Sequence, residues 1–170
     1  GAGSIRGFMT DAAWDRGIVI SSAYAANAIP TAEYALSQIL FSLKRGWYHV
    51  RTVRREGKYT GKGPVPGAFD STVGLISLGM IGSHVAELLQ AFDVNVLAYS
   101  SNQAKAARLG AETFSLEEVF RRSDVVSLHT PWLPETEGMI TGAHLASMKP
   151  NATFINTARG AVVRQGEMIE

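Results

Sequence analysis

The apolar residues Ala32, Ala35, Leu36, Ile39, Leu40, Leu43, Trp47 and Val50 recur at steps of three and four, the repeat of one helical face. The spacing predicts a helix of about 20 residues, the longest in the chain. Asn27 is read as its cap, and Pro30 falls in a first turn, where the missing N–H has no intrahelical acceptor. Ahead of it, residues 1–22 read as a short helix around Thr10 to Arg16, stopped at Gly17, and a strand from Ile18 to Ser21. Behind it, Arg51, Arg54, Arg55, Lys58 and Lys62 alternate with Gly57, Gly61, Gly63, Pro64, Pro66 and Gly67, so residues 51–70 read as a surface loop. The basic run is a solvated helix end entering a connector rather than a nucleic-acid platform, because Glu56 interrupts it and no aromatic residues are interleaved with it.

Beyond Asp70 the period changes. Short β-branched runs at Thr72 to Ser77, Val94 to Tyr99, Val125 to Leu128 and Thr153 to Asn156 are separated by segments of helical period. One such segment carries Ile81, Val85, Leu88, Leu89 and Phe92, and another Leu116, Val119 and Phe120. Apolar strands alternating with helices need cover on both faces, which implies an α/β fold with a doubly wound parallel sheet and right-handed crossovers. There is no internal repeat and no low-complexity tract.

Composition narrows the function without naming it. The 170 residues are 46% hydrophobic, enough to fill one domain core, and the net charge of +1 gives no global field for nucleic acid or an acidic membrane. No cysteine is present, which excludes a disulfide framework, a thiolate metal site and a cysteine nucleophile, and fits a cytoplasmic protein. No signal peptide, membrane span or metal site is read. The start without Met and the stop at Glu170, in what reads as a first helical turn, suggest an excised piece.

The candidate chemistry begins at Val73-Gly74-Leu75-Ile76-Ser77-Leu78-Gly79-Met80-Ile81-Gly82, a buried strand turning directly into a helix. Gly79 lets the backbone approach a diphosphate, Gly82 lets the helix lie close on the sheet, and the first helical N–H groups supply donors. Ser77 stands where the usual first glycine of G-x-G-x-x-G would be. About 20 residues on, a dinucleotide fold presents the group that reads the adenosine ribose. Here that place holds Ser100, Ser101 and Asn102, all neutral, with Lys105 and Arg108 following. NAD or NADP is compatible with this end, and the two cations also suit an ordinary exposed helix face.

With these residues in hand, the chain resembles the D-isomer-specific 2-hydroxyacid dehydrogenases over nearly its whole length. Four blocks carry the likeness in order: Asn27-Ala28-Ile29-Pro30-Thr31-Ala32-Glu33-Tyr34, the glycine turn, Leu128-His129-Thr130-Pro131-Trp132-Leu133-Pro134-Glu135-Thr136, and Asn156-Thr157-Ala158-Arg159-Gly160-Ala161-Val162-Val163. The resemblance implies a Rossmann-like domain over residues 23–170, incomplete at its C-terminus, with residues 1–22 the tail of a substrate domain. It implies a homodimer seam along the helix Ala32 to Val50. The glycine turn with Met80 and Ile81 would cover the diphosphate, and His129, Thr130, Pro131 and Thr136 would lie nearest the adenosine half. Read from the residues alone, His129 is a hydrogen-bonded strand-end histidine without chemistry.

In the last block the resemblance sets Thr157 and Ala158 beside the nicotinamide and points Arg159 at a 2-hydroxy or 2-oxo acid, whose carboxylate a guanidinium can hold. The family's acid–base histidine and its glutamate partner fall beyond Glu170, and neither His49 nor His144 matches them, so no turnover is expected of these 170 residues alone. Arg164 stands where an acidic residue is common in the family. Two other readings share these features: a dinucleotide-sensing binding protein of corepressor type without turnover, and, with fewer matching blocks, a hydrolase of adenosylhomocysteine type.

Overall fold

The computed structural model describes residues 9–59, 61 and 65–169. Residues 1–8, 60, 62–64 and 170 lie outside them, and with them the expected chain start at Gly1 to Ser4 and the loop residues Lys62, Gly63 and Pro64.

The sheet has five strands: β1 (Ser71–Ile76), β2 (Val94–Tyr99), β3 (Ala111–Thr113), β4 (Val125–Leu128) and β5 (Thr153–Asn156). All neighbours are parallel, in the order β3-β2-β1-β4-β5. The expected doubly wound α/β sheet is therefore present. Three predicted strands have the bounds read from the sequence; the fourth stops at Ile76, one residue early, because Ser77 takes φ 76° and leaves the extended region. β3 was not read from the sequence at all, since three residues, one of them the exposed Glu112, carry too little apolar signal.

Helices α2 (Tyr24–Leu43) and α4 (Met80–Leu89) cover one face with α5 (Gln103–Arg108), and α6 (Leu116–Arg122) covers the other. On the first face Ala32, Ala35, Ile39 and Leu43 of α2 pack with Val85, Ala86 and Leu89 of α4 onto Val73, Leu75 and Val96. On the second, Leu116, Val119 and Phe120 pack onto Ile76, Leu97, Val126 and Leu128. Each large side chain fully buried here, Phe120 and Ile39 among them, contributes roughly 1.5–3 kcal/mol. Gly74 is required by the second interface: a Cβ there would stand 2.5 Å from Ser123 Oγ and 2.6 Å from Val119 Cγ1.

The capping chemistry is local. Ser115 Oγ accepts from the Glu118 amide at 3.2 Å to start α6, with Glu117 in its first turn and Arg121 and Arg122 in its last, matching the helix dipole. Asn102 Oδ1 accepts from the Lys105 amide at 2.9 Å to start α5.

Three expectations are corrected near the N-terminus. Residues 18–21 form no strand; after the short α1 (Asp11–Asp15) and Gly17 (φ 66°) the chain runs on without regular structure to α2. The long helix starts at Tyr24, so Asn27 and Pro30 lie inside it and Ala23 is the N-cap; Asn27 Nδ2 donates to Thr31 Oγ1 at 3.4 Å. Finally, the apolar row to Val50 belongs to two helices, α2 and α3 (Gly46–Glu56), joined through Arg45 at φ 54°. At the break the Phe41 ring lies where a Cβ on residue 46 would be, at 2.3 Å, and meets Trp47 edge-on at 5.0 Å between centroids. The three- and four-residue spacing runs through the break in the sequence, but the buried face does not: Leu43 is buried whereas Trp47 and Val50 are exposed. Arg51, Arg54 and Arg55 are helical and exposed, and the loop begins only after Gly57.

Helix α7 (Gly142–Ala146), inserted between β4 and β5, meets α8 (Gln165–Ile169), which follows β5, through Glu167, whose carboxylate accepts from the Gly142 amide at 2.8 Å. Arg164, the basic residue in an acidic family position, donates to Gly138 O at 3.0 Å and pairs with Glu167 at 3.1 Å, so it fastens these segments.

Candidate functional site

Parallel strands end together, and in an open sheet the crevice lies where consecutive connections leave in opposite directions. Here that place is between β1 and β4: from β1 the chain goes out to β2, while β4 and β5 extend the other side. The ladder runs one residue past the strands on both flanks, with Ser77 N donating to Tyr99 O and His129 N to Ile76 O, each at 3.0 Å.

The glycine turn forms one wall. Ser77 is held in the left-handed region, at a cost of order 1 kcal/mol for a residue with a Cβ. Gly82 fits because its helix presses on the turn: a Cβ there would stand 2.1 Å from Ser77 O. The turn is laced by Ser83 Oγ and Lys105 Nζ, which both donate to Leu78 O, at 2.9 and 2.6 Å. No side chain caps α4, so the amides of its first turn keep their donors for something else. A Cβ on Gly79 would meet nothing closer than 3.9 Å, so the space in front of the turn is open.

The ends of β4 and β5 form the other wall. His129 is 8% exposed, its Nδ1 is 3.2 Å from Thr157 Oγ1, and its Nε2 is buried without a partner. Burial pushes its pKa from 6.5 down to about 4, so the ring is neutral at pH 7. Thr130 is buried beside it, with Oγ1 3.5 Å from Ile76 O. Asn156 closes the next turn: its Oδ1 accepts from the Ala158 amide at 2.9 Å and its Nδ2 donates to Arg159 O at 3.2 Å. Arg159 is exposed, and its guanidinium donates from Nη1 to Ala158 O at 2.7 Å.

Between the walls is a cleft of about 440 Å³. It brings together residues 79–81, 129–131 and 157–159, all expected from the sequence. The other expected site residues stand around it. Ser77 shapes the turn from behind, and Ser100 and Ser101 follow β2 on the neighbouring flank. Thr136 is turned inward, its Oγ1 donating to Pro131 O at 2.6 Å and accepting from the Leu133 amide at 2.9 Å, so it holds the loop 131–136 in shape.

Sequence reasoning missed the lining from α2: Tyr24, Asn27, Ala28 and Thr31, together with Trp132. Once the helix is started at Tyr24, Ala28 continues the buried row Ala32, Ala35, Ile39 and Leu43, and that extended period was the available signal. Among the described residues no group of three or more His, Cys, Asp or Glu could hold a metal, and no helix is long and apolar enough to cross a membrane.

Residues 37–170 match the family model described as D-isomer specific 2-hydroxyacid dehydrogenase, NAD binding domain. The D-3-phosphoglycerate dehydrogenase of Mycobacterium bovis is 34% identical over 162 residues, covering 94% of this chain and 31% of that protein. A glyoxylate reductase of Aeropyrum pernix is 39% identical over 101 residues, 58% of this chain and 30% of that one. Among solved structures, the NAD-complexed D-isomer specific 2-hydroxyacid dehydrogenase of Lactobacillus delbrueckii ssp. bulgaricus has a TM-score of 0.81 at 29% identity, covering 94% of this chain and 49% of that one. The chain thus spans roughly a third of the length of the curated relatives it matches.

Proposed function

This chain belongs to the D-isomer specific 2-hydroxyacid dehydrogenases, through their NAD-binding domain, and on that premise we propose that its cleft holds NAD or NADP for hydride exchange with a 2-hydroxy or 2-oxo acid. The observation that carries the reading is the convergence, in one cleft at the sheet's switch point, of an uncapped helix start and a strand-end guanidinium. When bound, the nicotinamide supplies the hydride chemistry.

The residues divide the remaining work. The first amides of α4, at Met80 and Ile81, donate to the diphosphate, and Gly79 leaves room for it. Ser100 and Ser101 border the adenosine ribose, and His129, Thr130 and Pro131 close on the same half of the cofactor, with Thr136 keeping their loop in place. His129, uncharged, brings no positive charge to the diphosphate; its contact with Thr157 fixes the residue that, with Ala158, borders the nicotinamide. Arg159 receives the substrate carboxylate and polarises the adjacent carbonyl. His144 takes no part, since its Nδ1 accepts from the Thr141 amide at 3.1 Å and its ring packs on Phe120. The proton that accompanies the hydride is assigned to a histidine with a glutamate partner in sequence after Glu170, and residues 1–22 to the substrate domain.

Two copies pair along α2 and α3. The support is an apolar outer surface in which Tyr34, Trp47, Tyr48, Val50 and Val53 are all more than 40% exposed.

The test has two arms. Titration of this chain with NADH and NADPH, followed by the fluorescence of Trp132 in the cleft, shows saturable binding without turnover. The full-length protein reduces at least one of glyoxylate, hydroxypyruvate and pyruvate; saturable binding with no reduction of any would favour a dinucleotide sensor instead.

A further inference from the structure

The end of β2 is where a dinucleotide fold meets the 2′ position of the adenosine ribose, and the charge there decides between a hydroxyl and a phosphate. An acidic side chain grips the hydroxyl and repels the phosphate. In this chain residues 99–110 contain two cations, Lys105 and Arg108, and no carboxylate. On the adjacent strand β3 the single carboxylate, Glu112, is paired with Leu97, three residues before Ser100.

The polar groups at this end are already committed in a way that leaves donors. Ser100 Oγ accepts from the Asn102 amide at 3.2 Å, which frees its O–H to donate. Asn102 Oδ1 is taken by the Lys105 amide at 2.9 Å, so the NH₂ is what that side chain has left to offer. Lys105 Nζ, half-buried, spends one proton on Leu78 O at 2.6 Å and keeps two. Leu78 lies in the glycine turn, so the ammonium spans from α5 to the loop that faces the diphosphate. It therefore stands between the two segments that flank an adenosine ribose in a fold of this class. A hydroxyl, an amide and an ammonium carried on one short segment, residues 100–105, with no carboxylate among them, suit a dianion and give a bare ribose diol no carboxylate to grip it.

Resting on the dinucleotide reading above, we propose that this chain selects NADP(H) over NAD(H), with Ser100, Asn102 and Lys105 receiving the 2′-phosphate and Lys105 the residue that sets the preference. Lys105 acting only as a brace for the glycine turn is a different idea with a different signature, because a brace serves both cofactors equally.

Calorimetric titration with 2′,5′-ADP and 5′-AMP isolates this end of the cofactor, and NADPH and NADH titrations followed by Trp132 fluorescence repeat the comparison on whole dinucleotides. The chain as it stands binds 2′,5′-ADP and NADPH about tenfold or more tightly than 5′-AMP and NADH, the worth of one charged hydrogen bond. Lys105→Ala removes most of that margin by weakening NADPH and 2′,5′-ADP far more than NADH and 5′-AMP, and Lys105→Arg restores it. Ser100→Asp, an independent change on the other loop, inverts the margin. Equal affinity for the two cofactors in the unaltered chain overturns the preference and leaves the dinucleotide reading standing. Equal weakening of both by Lys105→Ala makes the lysine a brace and also overturns it. Failure of the chain to bind any of the four ligands sinks the preference and the reading beneath it together.

Discussion

The two walls of the cleft are built on opposite principles. The glycine-turn wall is backbone: a strained Ser77, a helix start without a side-chain cap, and a Gly82 that tolerates no added atom. The wall formed by β4 and β5 is side chain: a buried neutral His129 against Thr157, and an Asn156 amide clamping the turn that presents Arg159. A backbone wall is sensitive to volume and indifferent to pH, whereas a buried polar wall is sensitive to charge. On this account the first wall binds the common part of the cofactor, and the second orients what reacts.

The most damaging way to break the backbone wall is Gly82→Ala. Its Cβ must displace the Ser77 carbonyl, since 2.1 Å is far inside contact distance. We expect a loss of about 3 kcal/mol in denaturant unfolding, with nucleotide binding lost alongside. The matching change on the second wall, Arg159→Ala, leaves the fold and cofactor affinity intact, because among the described residues the guanidinium bonds only its neighbour's carbonyl. In the full-length protein, assayed for the proposed 2-oxo acid reduction, we expect kcat/KM to fall by about a hundredfold and Arg159→Lys to recover part of that.

The charge-sensitive wall also answers to acid. The His129 pKa is lowered in the folded chain, from 6.5 to about 4, so the unfolded chain takes up the proton first. Stability is therefore full above pH 6.5 and falls as the pH drops toward 4, with about 2 kcal/mol lost by pH 5 from this residue alone. His129→Gln flattens that segment of the pH–stability curve; an unchanged slope would mean that other groups cause it. The smallest effect belongs to Ser77→Gly, which relieves the left-handed residue and adds flexibility to the unfolded chain. We expect a net gain of about 0.5 kcal/mol in thermal unfolding, with diphosphate binding retained.

The same contrast explains what the sequence disclosed. Strands β2, β4 and β5 were legible to the residue because they are apolar runs bounded by turn residues, and residues 79–81 because they open a helix directly after a buried strand; residues 129–131 and 157–159, which line the same cleft, were read through the family resemblance. What escaped notice depended on tertiary contacts. The turn between α2 and α3 is made at Arg45 and packs the Phe41 ring against Gly46, a contact that leaves no mark in the helical spacing on either side. The α2 lining of the cleft was hidden for a related reason: Pro30, read as a first-turn residue, lies one turn further in. Short β3 is held by its pairing with β2 rather than by its own composition. The inward role of Thr136 is a loop hydrogen bond that no spacing rule anticipates.

A crystal structure of the chain with a bound dinucleotide tests the division of labour most directly. Diphosphate oxygens are expected within hydrogen-bonding distance of the Met80 and Ile81 amides, with the Arg159 guanidinium on the side of the nicotinamide ring open to substrate. A diphosphate bound away from the start of α4, or an Arg159 turned out of the cleft with the cofactor in place, would contradict it.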